Sequence, residues 1–99
     1  PVQAVVLPVS EKFEKYGKKV FEELNRAGIR VEISDANETL GKRIREAEMQ
    51  KIPYVIVVGE KEESGDFVNV RKRGLKDNLE MRVEELVAKI NKEIEEKTL

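Results

Sequence analysis

Two short apolar runs interrupt a chain that is otherwise amphipathic. The first, VQAVVL at residues 2–7, stops at Pro8, and the second, YVIVV at residues 54–58, stops at Gly59. Both runs are rich in β-branched residues, which is typical of strands that are buried on both faces of a sheet. The second run is the more completely apolar, so the pattern predicts that it forms the central strand.

Helical periodicity predicts three helices around these strands, because apolar residues recur every three or four positions with Glu and Lys between them. The helical segments are residues 13–27, 40–47 and 83–94. Gly28 is suited to the left-handed conformation that ends the first helix. Asn37 or Thr39 can cap the second, and Pro53 closes it because proline disfavours a helical residue before it.

Shorter segments complete the predicted sheet. Residues 29–33 alternate apolar and charged side chains, which indicates an edge strand with one solvated face. Residues 60–66 form a predicted polar loop, and residues 67–70 and 79–81 follow as two short strands. The resulting β-α-β-α-β-β-β-α order predicts an α/β fold, a three-layer α/β/α sandwich, in one domain spanning residues 1–99.

The strand order also predicts where a ligand would bind. Right-handed crossovers place the first strand between the second and the third, so the sheet order begins 2-1-3 and the last two strands extend it. Ligands of open α/β sheets bind at the carboxyl ends of strands around such a switch point. Polar residues that follow these strand ends are Asn37, Glu38, Lys61 and Glu62.

Composition excludes several kinds of chemistry. The 99 residues include no Cys and no His, which removes disulfides, thiolate sites and the commonest general base. The net charge of −1 gives no global attraction for nucleic acid. However, the cations Arg71, Lys72, Arg73 and Lys76 lie close together in the sequence, and a polyanion would respond to such a local patch.

The ends and the hydropathy of the chain suggest its setting. No apolar run approaches the roughly 20 residues that span a bilayer, and no charged leader precedes the first strand, so we expect a cytoplasmic protein without a membrane partner. Because the sequence starts at Pro1 without Met, we also expect a fragment of a longer protein.

Three functional hypotheses fit these residues. An amide and a carboxylate at a strand end, Asn37 and Glu38, can read the edges of unstacked bases, although either residue can also serve only as a helix cap. The second hypothesis is a module that binds protein on the same fold. The third is a small carboxylate-dependent enzyme, based on the acidic residues of the predicted 60–66 loop. No phosphate-binding fingerprint is present.

Three segments together resemble a known family. AGIRV (27–31), NETLGKRIREAEMQKIPYVIVVGEKE (37–62) and VNVRKRG (68–74) are similar to the C-terminal anticodon-binding domain of class II aminoacyl-tRNA synthetases, most of all in its threonyl branch. The resemblance implies a mixed five-stranded sheet of order 2-1-3-4-5 with strand 4 antiparallel. It implies a chain that binds a tRNA anticodon stem-loop, catalyses nothing and holds no cofactor. ATP, Mg²⁺, Zn²⁺ and dimerisation would belong to other domains of the parent ligase.

The resemblance also implies the site residues. The residues implied to contact or attract the anticodon are Asn37, Glu38, Lys61, Glu62, Arg71, Arg73 and Lys76. Ala36 and Thr39 stand where the family usually has Arg and Lys, so we expect fewer phosphate contacts and weaker salt-sensitive binding. An antiparallel fourth strand would carry Arg71 away from the other residues, so either its side chain reaches over the sheet or the RNA extends toward it.

Overall fold

A mixed five-stranded sheet forms the middle layer of the computed structural model, which describes residues 1–75 and 77–97. The strands are β1 (Ala4–Pro8), β2 (Val31–Ile33), β3 (Tyr54–Val58), β4 (Val68–Lys72) and β5 (Leu79–Met81). Their order is β2-β1-β3-β4-β5; β1 is parallel to β2 and β3, and β4 is antiparallel to β3 and β5. The predicted fold class and sheet order are confirmed.

Helices cover the two faces of the sheet. They are α1 (Glu14–Arg26), α2 (Leu40–Met49), the short α3 (Glu60–Gly65) and α4 (Val83–Lys97), and a 3₁₀ turn at Glu11–Phe13 precedes α1. Among residues 1–75 and 77–97, no helix combines the length and the apolar character needed to cross a membrane.

The side chains of β3 divide the core into two layers. Ile56 and its alternate neighbours face α1 and α4, where they join the larger apolar cluster, which contains Leu24 and Leu86. Val55 faces α2 and packs with Ala47 and Ile52 in a smaller cluster. Since successive residues of a strand point to opposite faces, a fully apolar strand is needed where both faces are covered. The prediction that residues 54–58 form the central strand is confirmed.

The segment after β3 differs from the prediction. Residues 60–65 form the helix α3, so the prediction of a polar loop was wrong. Helix formation follows from Glu62, whose Oε1 accepts a hydrogen bond from the Gly59 backbone N–H at 2.8 Å, as in one half of a capping box. The acidic residues of its first turn also stabilise α3, because the N-terminal end of a helix carries a partial positive charge. Asp66, with φ 54°, ends the helix in the left-handed conformation.

Other local predictions agree with the structure. Thr39 caps α2, because its hydroxyl accepts a hydrogen bond from the Lys42 backbone N–H at 3.3 Å. Gly28 has φ +84° just after α1, as expected of a helix-ending glycine. α2 ends at Met49, earlier than Pro53 alone required, and Lys51 has φ 61° in the turn that follows.

Two buried tyrosines predict a loss of stability at alkaline pH. Burial, followed by nearby carboxylates, raises the pKa of Tyr16 and of Tyr54 above the usual value of 10.0. The neutral phenols therefore favour the folded state fully below about pH 10, and this contribution disappears as the pH rises beyond that value. Urea titrations between pH 8 and 12 should show falling stability, with a shallower decline in the Tyr16→Phe/Tyr54→Phe protein. An equal decline in both proteins would assign the effect to other groups.

Candidate nucleic-acid interface

The segment between β2 and α2, here called the 34–39 turn, presents two of the predicted site residues to solvent. Asn37 and Glu38 are both exposed there. Glu38 Oε1 lies 3.1 Å from Lys42 Nζ, and this hydrogen bond, followed by the charge of Glu38, raises the pKa of Lys42. The exposed amide and carboxylate offer hydrogen-bond donors and acceptors at the carboxyl end of β2.

Arg43 secures this turn and was missed by the sequence reasoning. Arg43 is only 5% exposed. Its Nε donates to the backbone oxygen of Glu38 at 3.0 Å, its Nη1 to that of Pro8 at 2.8 Å, and its Nη2 to that of Val9 at 3.4 Å. A signal was available, because Arg43 falls on the helical stripe defined by Leu40 and the buried Ala47, where a charged residue needs internal partners.

The helix α3 lies at the carboxyl end of β3 and carries Lys61 and Glu62. Lys61 is exposed, whereas Glu62 is only 9% exposed and its carboxylate holds the Gly59 N–H. A Cβ at Gly59 would lie 3.0 Å from Val9 Cγ2 and 3.2 Å from Glu62 Oε1. The close approach of Val9 and Glu62 therefore depends on the absence of a side chain at Gly59.

Val9 connects the 34–39 turn with the start of α3. Its carbonyl accepts a hydrogen bond from Arg43, which holds the 34–39 turn, and its side chain contacts Gly59 at the start of α3. The structure thus joins the 34–39 turn and α3 along one edge of the sheet, which we call the carboxyl edge. This edge consists of the segments that follow β1, β2 and β3.

A second polar surface lies on β4 and β5. Val68 and Val70 pack toward α1 and α4, so the alternate residues of β4, Asn69 and Arg71, face the opposite side. Asn69 pairs with Glu80 of β5 on the same side. The helix on that side, α2, packs on β1 and β3, and we call the surface formed by Asn69, Arg71 and Glu80 the open face.

The open face meets the carboxyl edge at Lys61. Lys61 Nζ lies 3.4 Å from Glu80 Oε2, which links α3 to β5. Arg71 pairs with Val55 near the start of β3 and lines a cleft with Glu48 near the end of α2. Because α2 is about 15 Å long, Arg71 lies at the opposite end of that helix from the 34–39 turn. A ligand that touches both must extend across the sheet.

The predicted cation patch is divided between two faces. Arg73 lines the same cleft as Arg71, and its backbone N–H donates to the oxygen of Pro53 at 2.8 Å. Lys72 instead faces α4, where it pairs with Glu93. Lys72 also lines the cleft beside Arg71 and Arg73, although its ammonium group is held by Glu93 on the α4 side. Lys76 lies outside the described residues.

The mixed five-stranded sheet between helical layers defines the class of protein, an α/β/α sandwich, and comparison with known proteins identifies its family. Residues 3–93 match the family described as "Anticodon binding domain", and the chain belongs to this family. The predicted family resemblance is confirmed, including its threonyl branch.

Relatives of high similarity include threonine–tRNA ligases. The chain is 51% identical over 94 residues to the threonine–tRNA ligase of Halalkalibacterium halodurans. The alignment covers 94% of this chain and 15% of that ligase. It is 44% identical over 99 residues to the threonine–tRNA ligase of Chlorobium phaeovibrioides. This alignment covers 100% of this chain and again 15% of the ligase. The chain therefore spans about 15% of the length of the curated relatives that it matches.

Solved structures agree. The RNA binding domain of threonyl-tRNA synthetase from Cryptosporidium parvum matches with a TM-score of 0.88 and 33% identity, covering 93% of this chain and 23% of that one. Histidyl-tRNA synthetase from Nostoc sp. matches with a TM-score of 0.86 at 22% identity, covering 95% of this chain and 23% of that one. The second similarity shows the fold alone.

Proposed function

We propose that this chain recognises the anticodon loop of threonine tRNA as the anticodon-binding part of a threonine–tRNA ligase. The observation that carries the proposal is the continuity between the carboxyl edge and the open face. Together they present an exposed amide and carboxylate at Asn37 and Glu38 and a half-buried arginine at Arg71. A surface of this extent suits several unstacked bases of a loop, which proteins recognise through hydrogen bonds to their edges.

In this proposal, the site residues divide between base reading and charge. Asn37 and Glu38 offer donors and acceptors to base edges, and Arg71 offers the planar set of five N–H donors of a guanidinium. Lys61, Arg73 and Lys76 attract phosphates, which strengthens binding without reading sequence. The ligation chemistry, with ATP, Mg²⁺ and Zn²⁺, and dimerisation belong to other domains, and the protein is cytoplasmic.

Glu62 has a positioning role in the proposed site. One of its carboxylate oxygens is occupied by the Gly59 N–H, and the residue is largely buried. It thereby fixes the start of α3, the helix that carries Lys61. This role differs from the direct base contact that the family resemblance implied, and it places Glu62 behind the RNA-binding surface.

Lys61 is available to RNA at little cost. Its contact with Glu80 joins two exposed side chains at 3.4 Å. Such surface pairs contribute only about 0–1 kcal/mol and weaken with salt. Lys61 can therefore exchange Glu80 for a phosphate group when RNA binds.

Arg71→Ala is expected to weaken binding of a threonine anticodon stem-loop by roughly 5- to 150-fold, because loss of a base contact costs about 1–3 kcal/mol. Fluorescence anisotropy with the labelled stem-loop measures this change. Arg45→Ala is the matched control, since Arg45 is an exposed arginine of α2 outside the open face. Equal binding by wild type and Arg71→Ala would contradict the site assignment.

A salt titration separates RNA recognition from the alternative of a protein-binding module. Binding through phosphates falls linearly on a log–log plot as salt rises, because counterions are released from the nucleic acid. The apolar side chains Leu75 and Leu79, which are 58% and 40% exposed, give the alternative its structural basis. Measurable RNA binding with a negative salt slope supports the proposal, and its absence favours a protein partner.

A further inference from the structure

Asn69 carries a polar atom whose presence the fold does not explain. Its Oδ1 is buried and has no hydrogen-bond partner, and it is the one such side-chain atom found among residues 1–75 and 77–97. Asn69 lies in the middle of the sheet, paired with Val57 of β3 and Glu80 of β5. It shares the open face with Arg71, two positions further along β4.

Folding alone would favour a different residue here. A buried acceptor without a partner costs about 1–3 kcal/mol. Asparagine is also depleted in strands, where β-branched residues pack better on the pleated surface. An unsatisfied buried group in a native protein calls for an explanation, and a ligand that supplies the missing donor is one.

The amide can reach such a ligand. Asn69 is half-buried as a residue, and strand alternation puts its side chain on the open face. Rotation about the side-chain bonds that exposes Oδ1 there breaks no hydrogen bond of that oxygen. Rotamer changes of accessible side chains take picoseconds to nanoseconds, so this movement does not limit binding.

The chemistry of the neighbouring residues explains why an acceptor is useful at this place. Arg71 and Lys61 offer hydrogen-bond donors only. The carboxylate of Glu80 already faces Lys61. Base edges carry N–H groups beside their oxygen and nitrogen acceptors, so an acceptor next to Arg71 on β4 lets one base edge be bound through both kinds of group.

We infer that Asn69 is a specificity-determining residue of the proposed RNA site. Its Oδ1 accepts a hydrogen bond from an N–H of an unstacked base, and the acceptor atoms of that base face Arg71. The Cα atoms of the two residues are about 6.6 Å apart along the strand, which lets both side chains approach one base. The inference rests on the proposed function and adds a residue to its site.

Asn69→Val gives a test in which stability and binding change in opposite directions. The variant should unfold at a higher urea concentration than wild type, because an unpaired buried acceptor is removed and β propensity improves. Its affinity for a threonine anticodon stem-loop should fall about tenfold. Asn25→Ala is the matched control for binding, because Asn25 is an exposed asparagine of α1 and its replacement should leave the affinity at the wild-type value. Asn69→Ala repeats the binding test if the valine variant does not fold.

Base preference distinguishes specificity from general weakening. Stem-loops in which each unpaired base is replaced in turn should show one position whose replacement weakens wild type but leaves Asn69→Val unaffected. Equal weakening on all stem-loops, unchanged affinity, or reduced stability of a folded Asn69→Val would each overturn the inference. If Arg71→Ala weakens binding while Asn69→Val does not, the inference fails and the proposed function stands. If wild type binds no stem-loop, both fail.

Discussion

Replacing Arg43 with alanine is expected to lower the free energy of unfolding by about 2–4 kcal/mol. The buried guanidinium donates to three backbone oxygens, two at the end of β1 and one in the 34–39 turn. Hydrogen bonds to charged groups are worth about 1.5–3 kcal/mol each, and removal of the donor leaves buried acceptors with poorer partners. Water entering the space left behind recovers part of the loss.

The measurement is chemical unfolding followed by circular dichroism, with Arg45→Ala as the control on the same helix. Arg45 is exposed, so its replacement should change stability by no more than about 0.5 kcal/mol. Arg43→Lys should fall between wild type and Arg43→Ala, because an ammonium keeps the charge but cannot reproduce the planar fork of donors. Equal losses for Arg43→Ala and Arg45→Ala would show that the buried hydrogen bonds do not stabilise the fold.

Arg43→Ala should also loosen the candidate site locally. The hydrogen bond to Glu38 ties the 34–39 turn to the sheet, so hydrogen exchange of the Ser34 and Lys42 amides, which donate to Val6 and to Thr39 at the two ends of the turn, should accelerate in the variant. Exchange in β3 should accelerate only as far as the global loss of stability requires. If the exchange protection of the turn falls no further than that of β3, the local role of Arg43 is contradicted.

Much of the fold was predictable because its strongest signals are local in sequence. The two apolar runs become β1 and β3, the neighbouring strands that both helical layers cover. Once these runs are identified as parallel, the handedness of the connections fixes the order of the first three strands. Thr39 and Gly28 mark helix ends for reasons of side-chain and backbone chemistry that need no tertiary information.

The candidate site was less predictable because its residues depend on contacts distant in sequence. Arg43 is bonded to Pro8 and Val9, more than 30 positions away, and nothing local in the sequence specifies those acceptors. Glu62 follows Gly59 by three positions, and this spacing suits both a helix cap and an exposed ligand contact; the structure shows the cap. The open face requires the position of α2, which covers β1 and β3.

One part of the site could have been read from the sequence with the information available. Strand alternation in VNVRK puts Asn69 and Arg71 on one face and Lys72 on the other. The sequence reasoning instead grouped Arg71 and Lys72 by their proximity along the chain. Applying the strand period to the cations would have separated them, and it would have identified Asn69 as the neighbour of Arg71.

Ile56→Ala is the substitution with the largest expected effect on stability, about 2–5 kcal/mol. Ile56 is fully buried in the middle of β3, between Val6 of β1 and Val70 of β4. Truncation removes buried apolar surface and leaves a cavity that neighbours held in two flanking strands cannot easily fill. Because small domains are stable by only about 5–15 kcal/mol, this loss is a large share of the total.

Ile33→Ala is the matched control, since Ile33 is 39% exposed on the edge strand β2 and should lose far less stability. Urea titration measures both variants, and equal losses would contradict the division between central and edge strands.

The two Ile variants also separate stability from recognition. β3 supports α3 and pairs with the strand that carries Arg71, but Ile56 faces α1 and α4, away from the open face. Stem-loop binding by Ile56→Ala should therefore fall in proportion to the unfolded fraction, with the affinity of the folded fraction unchanged. A lower affinity at a temperature where Ile56→Ala is fully folded would show that packing on the α1 and α4 side reaches the open face through β3.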